Sequence, residues 1–173
     1  MVPILPTYHT ASVSDVQRAD PRLTEWVIAP TQELAEIRQS TEAWNRGEFE
    51  HWIATYAPDC EWYPATEGGL LGESTPIRGH GGLRAFAREA NELWEHRRLE
   101  LTDLLRRGRL GLLVGRFRAR GRSSGVEIDP PMFWVTERND AGKSIWARSF
   151  VDLDDALASA AERDATAATT PRD

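Results

Sequence analysis

From the amino end, apolar residues show no sustained period before residue 31, and four of the ten prolines fall in that stretch, so residues 1–30 read as an extended arm anchored by Trp26 and Val27. From Thr31 the spacing turns helical. Thr31 stands as N-cap with Glu33 in the first turn, and Leu34, Ile37, Thr41 and Trp44 recur at three- and four-residue intervals until Asn45-Arg46-Gly47 supplies a stop. Phe49, Trp52, Ile53 and Tyr56 then predict a second, short helix closed by Pro58-Asp59. Cys60 to Tyr63 reads as a short strand, and Pro64 to Gly79, with four Gly and two Pro, as a long loop. Gly79-His80-Gly81-Gly82 opens a third helix with an apolar face of Leu83, Phe86, Ala90, Leu93 and Trp94, running to about His96. Four strands follow at about 99–105, 110–120, 126–138 and 143–152, joined at hairpin spacings, and residues 159–173 read as a flexible tail.

Three helices ahead of a run of antiparallel strands is the order of an α+β domain, in which helices roof one face of a curved sheet. Within Val114-Gly115-Arg116-Phe117-Arg118-Ala119-Arg120, alternation puts the three arginines on one face and Phe117 and Ala119 on the other. With an even-length loop, Glu127 and Asp129 join the arginine face, and cross-strand opposite charges are worth about 0.2–1 kcal/mol per pair, so the arginines need no bound anion.

Composition narrows the function. A chain of 173 residues makes one compact domain, and 21 Lys and Arg against 27 Asp and Glu give a formal net charge of −6, which disfavours nucleic acid and anionic membranes. The single cysteine, Cys60, can form no intrachain disulfide or Cys-rich metal site, and the start of the chain lacks a basic n-region and an apolar run. A soluble cytoplasmic protein is expected. Seven Trp against three Tyr and five Phe predict either a very aromatic core or a cavity lined with flat rings.

Three segments taken together resemble a known family. Ala43-Trp44-Asn45-Arg46-Gly47-Glu48-Phe49, Tyr56-Ala57-Pro58-Asp59-Cys60-Glu61-Trp62-Tyr63-Pro64 and Ile77-Arg78-Gly79-His80-Gly81-Gly82-Leu83-Arg84-Ala85-Phe86 resemble the SnoaL-like branch of the nuclear transport factor 2 (NTF2-like) superfamily. Arg120-Gly121-Arg122-Ser123-Ser124-Gly125-Val126-Glu127 and the ending Ser149 to Leu157 agree with it. The resemblance implies a cone-shaped α+β barrel over residues 31–158, three helices packed on a strongly curved, mostly antiparallel sheet, with a deep apolar pocket between them. It also implies a homodimer through the outer sheet face. The superfamily holds ketosteroid isomerase, polyketide cyclases, epoxide hydrolases and non-catalytic members, so the fold leaves the activity open. The isomerase's tyrosine, base and buried acid would fall at about Ser40, at Tyr63 or Pro64, and at about Trp134, and all three are replaced.

The same comparison places Phe117, Ala119, Met132 and Trp134 on the inner sheet face with Ile145, Ala147 and Ser149 beside them, and closes Trp44, Phe86 and Trp94 over them. Such a pocket suits a flat or bulky apolar ligand. Three residues are candidates for catalysis: His80, whose ordinary pKa lies near working pH, Tyr63 as a donor to a substrate oxygen, and Glu67 in the long loop, with Glu73 beside it. Ser40 would help orient the substrate oxygen. Alternation turns either Trp62 or Tyr63 inward, not both. His9, His51 and His96 show no metal-ligand spacing, and no phosphate-binding glycine loop occurs, so neither metal nor cofactor is expected. The resulting expectation is a cofactor-free enzyme performing cyclisation, isomerisation or hydrolysis on an apolar, polyketide-like or polycyclic substrate. The alternative is a non-catalytic binding or dimerisation module.

Overall fold

The computed structural model describes Gln17, residues 20–65 and residues 75–169. The first helix, α1 (Thr31–Arg46), starts at the expected cap itself, so its N-cap lies one residue earlier, at Pro30. Pro30 holds the N-cap position in an extended conformation without a side-chain cap, and its carbonyl accepts from Leu34 N at 3.2 Å, so Thr31 is already helical. The helix ends where predicted: Gly47 takes φ +80°, and its N–H closes on the carbonyls of Ala43 and Trp44.

α2 (Phe49–Ile53) is shorter than its apolar spacing suggested. The chain enters β2 (Tyr56–Tyr63) at Tyr56, so Pro58 lies inside a strand. The strand tolerates it because pairing with β8 (Ser144–Phe150) is interrupted between Tyr56 and Glu61, where the missing N–H costs no ladder bond. The tail of the expected loop forms β3 (Ile77–Arg78), antiparallel to β2 and fixed by an ion pair from Arg78 to Glu61 at 2.9 Å.

α3 (Gly79–Leu93) stops three residues short of its predicted end. Trp94 instead opens β4 (Trp94–Arg107), paired with Gly121 of β5 (Leu110–Gly121). A register shift follows at His96, whose φ of +53° marks a bulge that pairing imposed on a helix-compatible sequence. Gly115 of β5 sits where a Cβ would lie 2.1 Å from the Glu100 carbonyl oxygen, so only glycine lets the two strands close there.

The predicted third strand is two: β6 (Glu127–Ile128) and β7 (Pro131–Arg138), split at Asp129-Pro130. With β1 (Val27–Ile28) and β8 (Ser144–Phe150) they complete an eight-stranded curved sheet in the order β1-β4-β5-β7-β8-β2-β3, with β6 on β5. All pairings are antiparallel except β2 with β8.

The helices α1 to α3 roof the concave face. The convex face carries a second core, which the sequence reading did not anticipate. α4 (Leu153–Thr169) continues through the stretch expected to be a flexible tail and buries Ala156, Leu157 and Ala160 against β7 and β8. Its alanines carry high helix propensity and are small enough to lie close on the sheet. The described part of the arm does not reach over the pocket. Leu23 and Trp26, 1% and 2% exposed, pack into this same convex cluster with Leu105, Leu112 and Val135, while β1 adds an edge strand to β4. The arginine row faces outward as alternation predicts: Asp129 receives Arg116 at 3.0 Å and Arg118 at 3.2 Å, and Arg120 meets Glu95 at 3.2 Å. No helix among the described residues is long and apolar enough to cross a membrane.

Candidate ligand-binding site

Between roof and sheet lies a cavity of about 690 Å³, within the range that holds small organic ligands. Its wall follows from strand alternation. Leu113 and Phe117 of β5, Met132, Trp134 and Thr136 of β7, and Ala147 and Ser149 of β8 all face it. Ile145, expected beside them, packs on the convex side instead, because the ladder slips between Glu137/Trp146 and Arg138/Ser144. From the roof come Ser40 and Trp44 of α1, Trp52 of α2 and Phe86 of α3, and Trp94 enters from the head of β4.

Five of the seven tryptophans therefore line the cavity, among them Trp52, whose spacing in the sequence marks only the apolar face of a short helix. The rings buttress one another. Trp44 packs on Trp52 at 4.7 Å and stacks on Phe86 at 5.9 Å, Trp62 meets Phe86 edge-on at 4.6 Å, and Trp94 meets Phe117 edge-on at 5.9 Å. Such contacts fix ring orientation, so the wall is preformed. Trp62 is also tied at its polar edge, its indole N–H donating to Ser149 Oγ at 3.0 Å.

The choice at the end of β2 resolves in favour of Trp62. Tyr63 lies on the opposite face, its ring 6.2 Å from Trp146 with the Arg148 guanidinium 5.7 Å above it, so it cannot donate into the cavity. His80 does not line the cavity either; its Nε2 is hydrogen-bonded to the Tyr56 carbonyl oxygen at 2.9 Å, holding the start of α3 on β2. Glu67 and Glu73 lie outside the described residues. Of the positions at which the resemblance puts the isomerase's polar groups, Ser40, Pro64 and Trp134 border the cavity without an ionisable side chain, and Tyr63, the alternative to Pro64, lies on the opposite face.

Polar character collects at the other end. Tyr56, Thr136, Arg138 and Lys143 border the cavity there, with Glu36 at the rim. Burial holds the Tyr56 phenol well above its usual pKa, so it is a neutral hydrogen-bond donor at any working pH. Burial, followed by repulsion from Arg106, lowers the pKa of Arg138, while Glu33 and Glu36 act in the other direction. Continuing the period-two stripe from Met132 and Trp134 by two more steps reaches Thr136 and Arg138, so the signal for this end was present in the sequence. Among the described residues no group of three His, Cys, Asp or Glu gathers in a way that could hold a metal ion.

The sequence matches the SnoaL-like domain family over residues 37–160. The chain belongs to the SnoaL-like family. No curated protein matches it. Among solved structures, the SnoaL-like domain is similar to an NTF2-like protein of unknown function from Burkholderia pseudomallei, with 20% identity and a TM-score of 0.61 over 73% of this chain and 95% of that one. It is similar to TerC co-crystallised with polyporic acid, at 17% identity and TM-score 0.58, covering 72% of this chain and 97% of that one. It is also similar to a Mycobacterium tuberculosis protein solved with estradiol-17β-hemisuccinate, at 15% identity and TM-score 0.57, covering 70% and 94%. At these identities the likeness establishes the NTF2-like fold.

Proposed function

We propose that this SnoaL-like domain binds a flat, apolar small molecule lengthwise in its aromatic cavity. The observation that carries the reading is the wall itself: five indoles and two phenylalanines around about 690 Å³, four of the indoles braced by tilted, stacked or edge-on ring contacts. Rigid rings give large contact area at little entropic cost, and a ligand complementary to them must also be planar and poor in polar groups. Two structural neighbours hold small organic molecules, which agrees in kind.

The withdrawal of Tyr63 and His80 from the cavity favours binding over the acid–base chemistry they were expected to supply. One observation keeps the catalytic reading as the second choice: the neutral phenol of Tyr56 in the wall could hydrogen-bond an oxygen that gains charge during cyclisation or isomerisation. A homodimer through the outer sheet face would use the arginine-bearing part of β4 and β5, since α4 and the arm cover the β7–β8 side.

The test is native mass spectrometry of freshly purified protein, followed by titration with pyrene-1-butanol monitored by tryptophan emission. Retention of a small organic molecule, or tryptophan quenching that Trp134→Ala weakens at least fivefold, supports the reading. Neither retention nor saturable quenching would end it. A substrate found this way decides the second reading, because Tyr56→Phe must then slow its conversion.

A further inference from the structure

The β2 end of the cavity with Tyr56 differs from the aromatic middle in one respect that core packing does not require. Tyr56 opens β2, Ser144 opens β8 and Arg138 closes β7, and the register pairs Ser144 with both of the others. The three residues thus form a row across adjacent strands, and all three border the cavity. Neighbouring strands stand about 4.8 Å apart, so the backbones of Tyr56 and Arg138 are separated by roughly 10 Å, a gap two inward side chains can close around one small group.

The charges around that row do not balance. Arg138 Nη1 donates to Glu33 Oε1 at 2.8 Å, but the same oxygen also receives Arg106, so two guanidinium groups share one carboxylate. Lys143 adds a cation at the rim, its Nζ donating to the Ala54 carbonyl at 2.6 Å, and Glu36 adds an anion. Three cations thus stand against two carboxylates, leaving one positive charge over. The other guanidinium nitrogens of Arg138 have no hydrogen-bond partner among the described residues. A partly buried cation with free donors beside a neutral phenol is matched by a carboxylate, which a guanidinium engages through two parallel bonds and a phenol through a third.

We propose that Arg138 and Tyr56 form a carboxylate subsite at this end of the cavity, so that the ligand is a flat apolar body ending in a carboxylate. This rests on the binding reading above and adds the polarity of the ligand and its direction in the cavity. The body lies among the indoles, and the acid end lies between β2 and β7.

Two probes with one ring system separate the two claims: pyrene-1-butyrate and pyrene-1-butanol, each titrated at low salt with energy transfer from tryptophan as the readout. The wild-type chain is expected to prefer the acid by about tenfold or more. Arg138→Gln should bring the two affinities within about twofold of each other, chiefly by weakening the acid, and Tyr56→Phe should lower the preference severalfold. Arg138→Lys, which keeps the charge, guards against a folding failure of the glutamine variant; it should retain part of the preference. Salt at 0.5 M should shrink the preference and spare the alcohol. Saturable binding of the alcohol with no preference for the acid, or a preference that survives Arg138→Gln, overturns the subsite and leaves the binding reading standing. Failure of both probes, with no retained molecule, overturns both.

Discussion

Trp62 shows how one side chain joins the sheet to the site. Its ring forms part of the cavity wall, and its N–H is donated to Ser149 Oγ at 3.0 Å, both groups being nearly inaccessible to water. Removing one partner strands the other. Ser149→Ala should cost about 1–3 kcal/mol because the indole N–H is then buried without an acceptor, and Trp62→Phe should cost a similar amount. The double variant should cost clearly less than the sum, by about 1 kcal/mol, in urea denaturation. Strict additivity would show that the two groups do not interact. His80 makes the complementary case. Its hydrogen bond to the Tyr56 carbonyl is structural, so His80→Ala should lower stability by about 0.5–1.5 kcal/mol and leave ligand affinity unchanged. A loss of affinity without loss of stability would return His80 to the site. Ser40, Trp44, Phe86, Trp94, Phe117, Met132 and Trp134 border the cavity, where the order of their elements and strand parity put them, whereas Trp62 borders it in one of two orientations that alternation left open. Alternation alone leaves two orientations open for Tyr63, and the placement of His80 is decided by a partner distant in sequence, the Tyr56 carbonyl of β2.

Sequence periodicity located the helices better than their ends. Tyr56 continues the spacing of α2, yet it belongs to β2, because pairing with Ser144 outweighs one more helical turn. Trp94 likewise fits the apolar face of α3 but is pulled into β4 by Gly121. Both errors arise where a long-range partner competes with local spacing, which no window of sequence contains. The convex core is faint in the sequence for a related reason: the arm has no sustained period and α4 is an alanine-rich segment, so neither has the amplitude of an amphipathic helix, and of the two anchors expected in the arm Trp26 is buried while Val27 is exposed. Their energetic weight is nonetheless large. Trp26→Ala should destabilise the domain by about 3–5 kcal/mol, since a fully buried indole leaves a cavity between the arm, β4 and α4. Because this core lies across the sheet from the ligand cavity, Trp26→Ala should leave affinity for pyrene-1-butanol within about twofold of wild type at temperatures where the variant is folded. Equal stability of the two proteins in urea would show that the arm does not contribute to the core.

The whole chain carries two kinds of ionisable group whose environments act in opposite pH ranges. Asp20 is held below the usual carboxylate range by hydrogen bonds from Arg22, and Asp129 by Arg116 and then Arg118. Lowered carboxylate pKa values contribute stability above the unfolded value, and that contribution is lost as pH falls through the folded one, so the acid limb should begin below about pH 4. Cys60 and Tyr56 are pushed upward, each chiefly by burial. A raised thiol or phenol contributes stability that is complete below the unfolded pKa and is lost as pH rises beyond it, so the alkaline limb should begin near pH 8.5 with the thiol and steepen near pH 10 with the phenol. Melting temperature should therefore be flat between about pH 5 and pH 8. The causes differ, and salt separates them. The acid limb rests on exposed ion pairs and should flatten in 0.5 M NaCl, whereas the alkaline limb rests on desolvation and should not. Cys60→Ala should delay the alkaline limb toward the ordinary phenol value near pH 10, leaving Tyr56 to set it. An alkaline limb that keeps its onset in Cys60→Ala, or that moves with salt, would show that burial of these two groups is not its origin.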